Sequence, residues 1–433
     1  MRIEELLIYR ELDINGLLYR MSCLIEGSAD RQRSMWYESV HQLLEMAGQY
    51  GFSGNLWHCC LTHFLVNHEN SYSRTCELRG APEGSINQAV LQDMTIFWEW
   101  YHYDLRKLAG KLGIEASELI LAYQGSRQGT EGYSVRMSSQ IGELAVQMGQ
   151  AASPEELKEI LTGFYQKYGV GKLGLHKAFR IRHSREGMEI VPIVNIPAVH
   201  LEDLVGYQLA KEKLIRNTEA FVSGRKANNC LLFGDAGTGK SSSIKAIANE
   251  YYDRGLRIIE VYKHQLQELH EVIARIKNRN YKFILYMDDL SFEEFETDYK
   301  FLKAVIEGGL EKRPENVLIY ATSNRRHLVK ESFADKEGRR DQLHASDTVQ
   351  EKLSLASRFG VTIFFEAPDQ KLFQEIVRVL AERNGISMPE EELLLEANRW
   401  ELSHGGLSGR TAQQFVDYLL GKDEKKQGDK AVH

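Results

Sequence analysis

One stretch limits what this chain can fold into: Leu231-Leu232-Phe233-Gly234-Asp235-Ala236-Gly237-Thr238-Gly239-Lys240-Ser241. An apolar run feeds a G-x-x-x-x-G-K-S loop, and Ser242 to Tyr252 continues at helical spacing. Each residue type answers a demand of phosphate chemistry. The glycines let the backbone curl so that successive N–H groups point inward at an anion. A helix start adds unpaired N–H donors and the positive end of its dipole. Lys240 can reach the terminal phosphates, and the Ser241 hydroxyl can coordinate Mg²⁺. A plain Gly-rich turn between strand and helix is the alternative, and the flanking strand and helix weigh against it. The pattern therefore predicts a nucleoside triphosphate held by Gly234 through Ser242.

A chain of 433 residues is long for one core and predicts two or three domains. Its net charge of −7 argues against a strongly basic nucleic-acid coat, while leaving room for a local basic face. Cys23, Cys59, Cys60, Cys76 and Cys230 form an odd, scattered set without a C-x-x-C pair, which fits reduced thiols. The start, Met1-Arg-Ile-Glu-Glu, has no signal-peptide pattern, and no apolar run approaches membrane-spanning length. A cytoplasmic protein without membrane insertion is expected.

Residues 1–195 read as a mostly helical N-terminal domain and a candidate adaptor. Val40, Leu43, Leu44 and Met46 repeat at helical spacing, and Pro154-Glu-Glu-Leu opens a helix behind a Ser153 cap. The aromatic stretch from Met94 to Leu105 reads as core or an inter-domain face, with a ligand-stacking platform as the other reading. Gly169-Val-Gly171-Lys-Leu-Gly174 matches G-x-G-x-x-G, but helix-like residues precede it, so it reads as a turn. Lys172, Lys177, Arg180, Arg182 and Arg185 cluster after it, as a solvated surface or a phosphate or nucleic-acid contact. His58, Cys59, Cys60 and His63 lack paired metal-ligand spacing and read as packing.

Pro192 to Pro197 marks the expected boundary. Beyond it, strands at Asn229–Phe233, Arg257–Val261, Phe283–Met287, Val317–Thr322 and Val361–Phe365 alternate with helical stretches. This is the pattern of an α/β domain over 196–367, a five-stranded parallel sheet covered by helices with its ligand at the strand C-termini. Residues 368–420 read as a small helical unit. The tail 421–433 lacks an apolar stripe and reads as disordered.

Two further strand ends carry chemistry. Phe283-Ile-Leu-Tyr-Met-Asp288-Asp289 closes an apolar strand with two carboxylates; Asp288 is placed to hold Mg²⁺ and Asp289 to accept a proton from, or orient, an attacking water. An exposed acidic turn is the alternative. Tyr320-Ala-Thr-Ser-Asn324 ends the next strand with an amide that can position that water. Arg358, before the fifth strand, and Arg410, at the start of the last helix, offer the planar charge suited to a transferring phosphoryl group.

In this order of features, residues 200–420 resemble an AAA+ ATPase module. More closely, the chain is similar to a family of bacterial predicted AAA+ ATPases of unknown function. That likeness is carried by Asp203-Leu-Val-Gly-Tyr207, Asn217-Thr-Glu-Ala-Phe221, Asp288-Asp-Leu-Ser-Phe-Glu293, Ala321-Thr-Ser-Asn-Arg-Arg-His327 and Leu407-Ser-Gly-Arg-Thr-Ala412. The resemblance implies that Val205, Gly206 and Tyr207 flank adenine and that Asn324 is sensor 1. It also implies that Arg358 is a finger reaching a neighbouring subunit's nucleotide, that Arg410 is sensor 2, and that 368–420 forms a lid. ATP with Mg²⁺, a homo-oligomer with nucleotide at its interfaces, and a protein or nucleic-acid client follow from the same likeness. One position departs: most of the superfamily has Asp-Glu where this chain has Asp288-Asp289, and aspartate is one methylene shorter. Glu293 is a substitute base. The expected activity is ATP hydrolysis coupled to remodelling, with an ATP-dependent assembly switch or scaffold of slow turnover as the alternative.

Overall fold

The computed structural model describes residues 3–10, 16–27, 31–114, 117–125, 135–185, 187–292, 296–308, 314–324 and 355–428. Glu293, Arg325, Arg326 and His327 of the sequence reading lie outside them. The chain divides into two compact units, Met1–His176 with Pro192–Asn195, and Lys177–Val191 with Ile196–His433.

The first unit is helical. Its helices start where the sequence supplies caps: the Asn55 side chain accepts from the His58 amide, Asn70 and Ser73 cap each other reciprocally, and Ser153 caps a helix with Pro154 in its first turn. Met94, Ile96, Phe97, Trp100 and Tyr101 are buried on the helix Ile86–His102, so the aromatic stretch is core. Asp93 on that helix is fully buried, and its carboxylate accepts the amides of Leu7, Ile8 and Tyr9 at 2.8–2.9 Å. Cys59 and Cys60 pack in the same core, and burial holds the His63 imidazole down at about 4. Gly169 and Gly171 take positive φ between two helices, as a turn requires.

The second unit is built on one sheet of seven strands: β1 (Ala178–Ser184), β2 (Gly187–Pro192), β3 (Cys230–Gly234), β4 (Leu256–Glu260), β5 (Lys282–Met287), β6 (Val317–Ser323) and β7 (Val361–Phe365). Their order is β2-β1-β4-β5-β6-β3-β7. Every pairing from β1 through β7 is parallel. The last five strands are those expected from the sequence; the first two correct the expected count of five. Both strands belong to the sheet-bearing unit, which takes up the chain at Lys177 and again at Ile196. The cause of the undercount is visible in β1. Phe179 and Ile181 are buried while Arg180 and Arg182 are exposed, a period of two that a cluster of basic residues conceals. Arg182 pairs there with Glu189 of β2 at 3.3 Å.

β3 runs between β6 and β7, whereas the chain leaves it for β4, on the far side of β6 and β5. Successive connections therefore diverge beside the end of β3, which leaves a crevice at the strand C-termini. After β7, Asp369 caps the helix Gln370–Arg383, followed by Glu390–Ser403 and Gly409–Gly428. Phe373, Ile376, Val377, Leu393, Ala397, Phe415 and Val416 give these three helices a core of their own. The last of them runs to Gly428. Among the described residues, no helix is long and apolar enough to cross a membrane.

Candidate functional site

Gly234 ends β3 with φ 135°, and a Cβ there would stand 1.9 Å from the Phe365 carbonyl oxygen. Only glycine lets the loop pass so close to β7, where the Asp235 amide donates to that same carbonyl at 3.1 Å. Gly237 (φ 74°) and Gly239 (φ 91°) complete the curl, and the helix Lys240–Glu250 begins directly after it. A Cβ on Gly237 would meet Ser408 Oγ at 2.9 Å, so the loop also lies against the start of the last helix.

A cleft of about 730 Å³ opens over this loop. Ala236, Gly237, Thr238, Gly239, Lys240, Ser241 and Ser242 line it, with Asp288, Asp289, Asn324, Arg410, Val205 and Tyr207. Gly206, Gly234 and Asp235 lie outside the lining: Gly206 is under Leu372, and Asp235 Oδ2 accepts the Ala367 amide at 3.0 Å. Arg358 is also absent from it and pairs with Glu307 of its own chain.

Lys240 is 6% exposed, and its Nζ donates to the Gly234 and Asp235 carbonyls at 2.8 and 2.6 Å. Burial lowers its pKa, and Asp235, Asp289 and Asp288 oppose that shift. Opposite it, Asp288 Oδ1 accepts hydroxyls from Thr322 and Tyr286, each at 2.6 Å, and from Ser241 at 2.7 Å. Burial pushes the Asp288 carboxyl up, but those hydrogen bonds outweigh it and hold the group below its ordinary value. Asn324 Nδ2 donates to Asp289 Oδ1 at 2.8 Å. The two aspartates thus stand in different surroundings, one saturated by hydroxyls and the other held by a single amide.

Away from the phosphate loop the wall turns apolar, with Val199, Leu204, Val205, Ile376 and Leu380. Tyr207 (φ 56°) lies tilted against Phe365, ring centroids 5.5 Å apart, and its buried hydroxyl has no hydrogen-bond partner. Burial, with the Asp235 charge, pushes that phenol up to about 12. Arg383 ties the C-terminal helices to the segment before Tyr207, donating to the Asp203 and Glu202 carbonyls at 2.9 and 3.1 Å.

Thr322, Tyr286 and Arg383 escaped the sequence reading. A signal existed for the first two. Tyr286 precedes Asp288 by two residues, Thr322 precedes Asn324 by two, and alternation along a strand puts such pairs on one face. Arg383 carries no local signal, because its partners, the Asp203 and Glu202 carbonyls and the Asp203 carboxylate, lie 180 and 181 positions away.

A sequence profile described as "Protein of unknown function (DUF815)" matches residues 174–423, more than half of the chain. The chain belongs to this family. With it goes membership of the AAA+ superfamily that the motifs resemble. No curated protein matches the chain. Similar solved structures include the Thermotoga maritima RuvB Holliday junction branch migration motor and two substituted forms of that motor. Each is 14% identical and covers 52% of this chain and 72–73% of its own, with TM-scores of 0.32 and 0.33.

Proposed function

We propose that this DUF815-family protein binds ATP with Mg²⁺ and hydrolyses it, coupling hydrolysis to remodelling of a protein or nucleic-acid client in the cytoplasm. One observation carries the reading: a buried lysine on a glycine-rich loop, a hydroxyl-saturated aspartate, and an aspartate–asparagine pair all face one cleft. The chain fits the ligand. Gly237 and Gly239 leave space where side chains would intrude, and the oxygen atoms of Ser241 and Asp288 suit a hard cation. The orphaned Tyr207 hydroxyl supplies a polar contact beside the apolar Val199, Leu204, Val205, Ile376 and Leu380, as a nucleobase requires.

In this reading the backbone amides of 236–241 and the Lys240 ammonium hold the phosphates, which draws the lysine from the loop carbonyls it now serves. Ser241 and Asp288 hold Mg²⁺, which supplies charge neutralisation at the phosphate oxygens. Asp289 accepts the proton of the attacking water, and Asn324 orients both. Arg410 brings positive charge over the nucleotide from the last helix, and residues 368–420 act as the lid, tied by Arg383. Val205, Gly206 and Tyr207 flank the base. Arg358 acts in a neighbouring subunit, so the working form is a homo-oligomer with nucleotide at its interfaces. The aspartate at position 289, where the superfamily carries glutamate, favours a second reading: an ATP-dependent assembly switch or scaffold with slow turnover.

Lys240→Ala tests the site. Nucleotide affinity should fall by roughly a hundredfold, about 2.7 kcal/mol, with the circular dichroism spectrum unchanged. Wild-type affinity of this variant for a fluorescent ATP analogue would falsify the assignment.

A further inference from the structure

The shorter carboxylate at position 289 sits in an uncommon backbone. Asp289 has φ 47°, in the left-handed region that side chains other than Gly, Asn and Asp rarely enter. Rotation about N–Cα at this value re-aims Cβ relative to the strand behind it. A continued strand would send residues 288 and 289 to opposite faces, yet here both carboxylates line the cleft. Something must hold that turn, and one neighbour grips it from three directions. The Thr322 hydroxyl donates to Asp288 Oδ1 at 2.6 Å and accepts the Asp289 amide at 2.9 Å, while the Thr322 carbonyl accepts the Leu290 amide at 2.7 Å. The side chain of Thr322 is 1% exposed, so water does not compete for these bonds.

We propose that Thr322 is the positioning residue of this site: its hydroxyl locks the Asp288–Asp289 turn in the left-handed form that delivers the shorter carboxylate to Asn324. The inference rests on the ATPase reading and deepens it. The Asp-Asp pair is then a site tuned to aspartate by its backbone, and not a weakened copy of Asp-Glu. Glutamate at 289 overshoots Asn324 and fits the left-handed backbone less well than aspartate does.

Three variants of the full chain test this: Thr322→Val, which keeps shape and loses both hydrogen bonds, Thr322→Ser, which keeps both, and Asp289→Glu. Thr322→Val should lower kcat by roughly 10–100-fold while metal-free affinity for a fluorescent ATP analogue stays within about threefold. Thr322→Ser should restore kcat and leave that affinity unchanged. Asp289→Glu, at an exposed residue that leaves folding intact, should turn over more slowly than wild type. Faster turnover of Asp289→Glu, or equal impairment by Ser and Val at 322, overturns the proposal. A wild-type chain that binds no nucleotide sinks the ATPase reading instead. The clamp is then judged by hydrogen exchange of the Asp289 amide, which should be protected at least about tenfold more in wild type and Thr322→Ser than in Thr322→Val. Equal exchange in all three removes the clamp.

Discussion

At the scale of single residues, the site works through hydroxyls that prepare a carboxylate. Ser241, Tyr286 and Thr322 reach one oxygen of Asp288 from three elements, the helix after the phosphate loop, β5 and β6. The sign of the consequence is fixed. A carboxyl whose folded pKa is depressed keeps its charge above its ordinary value and loses the benefit only as pH falls through the depressed one. Tyr286→Phe removes one donor and leaves burial, the opposing influence, in place. Mg²⁺-dependent nucleotide affinity of that variant should match wild type at pH 8 and fall away at a higher pH on acidification. An unchanged acid limb in a titration from pH 8 to 5 removes Tyr286 from the cation site. The aspartates themselves were legible in the sequence because a run of apolar residues ending in acids is conspicuous. The Ser241 hydroxyl was legible in its motif, whereas Tyr286 and Thr322 had only their spacing from Asp288 and Asn324 to mark them, since a tyrosine or threonine inside a buried strand looks like any other β-forming residue.

Among elements, the contact between β3 and β7 sets the position of the phosphate loop. Gly234→Ala would drive a Cβ into the Phe365 carbonyl, a backbone atom that cannot rotate aside, and would do so at φ 135°. The substitution should cost about 3 kcal/mol or more in urea unfolding. Gly163, on the helix Pro154–Tyr168, meets nothing within 4 Å and has an ordinary φ, so Gly163→Ala should stabilise its helix by about 0.5–1 kcal/mol. Equal effects at the two positions would refute the close-approach argument. Four of the five strands from Cys230 to Phe365 were readable because each is a nearly continuous apolar run buried on both faces, and β7, at the sheet edge, because its run is apolar although Thr362 and Phe364 are exposed. β1 and β2 were hidden by polar residues set among the apolar ones, exposed Arg180 and Arg182 in β1 and half-buried Glu189 in β2.

On the scale of the whole molecule, the proposed role of Arg358 in another subunit would make activity a property of assembly. Arg358 pairs with Glu307 in its own chain, apart from its own cleft. Specific activity should rise with protein concentration, and Arg358→Ala should bind ATP but hydrolyse it slowly. Such fingers contribute roughly 10³–10⁵ in rate in related phosphoryl transfer. Mixing Arg358→Ala with Lys240→Ala should recover activity that neither has alone; inactive mixed oligomers, verified by native mass spectrometry, would end the in-trans assignment. The register of the sheet also bears on how the protein is made. Cys230 is paired with Val361, 131 positions later (361 − 230), and the carbonyl that receives the Asp235 amide belongs to Phe365. At about 5–20 residues per second, a nascent chain waits roughly 7–26 s between synthesising β3 and acquiring its outer neighbour. Throughout that interval Leu231 and Leu232 lack one flank, and the phosphate loop lacks the wall it is folded against. Nucleotide therefore cannot template the early chain, and the interval before β7 emerges is when the growing polypeptide is most open to capture by a chaperone.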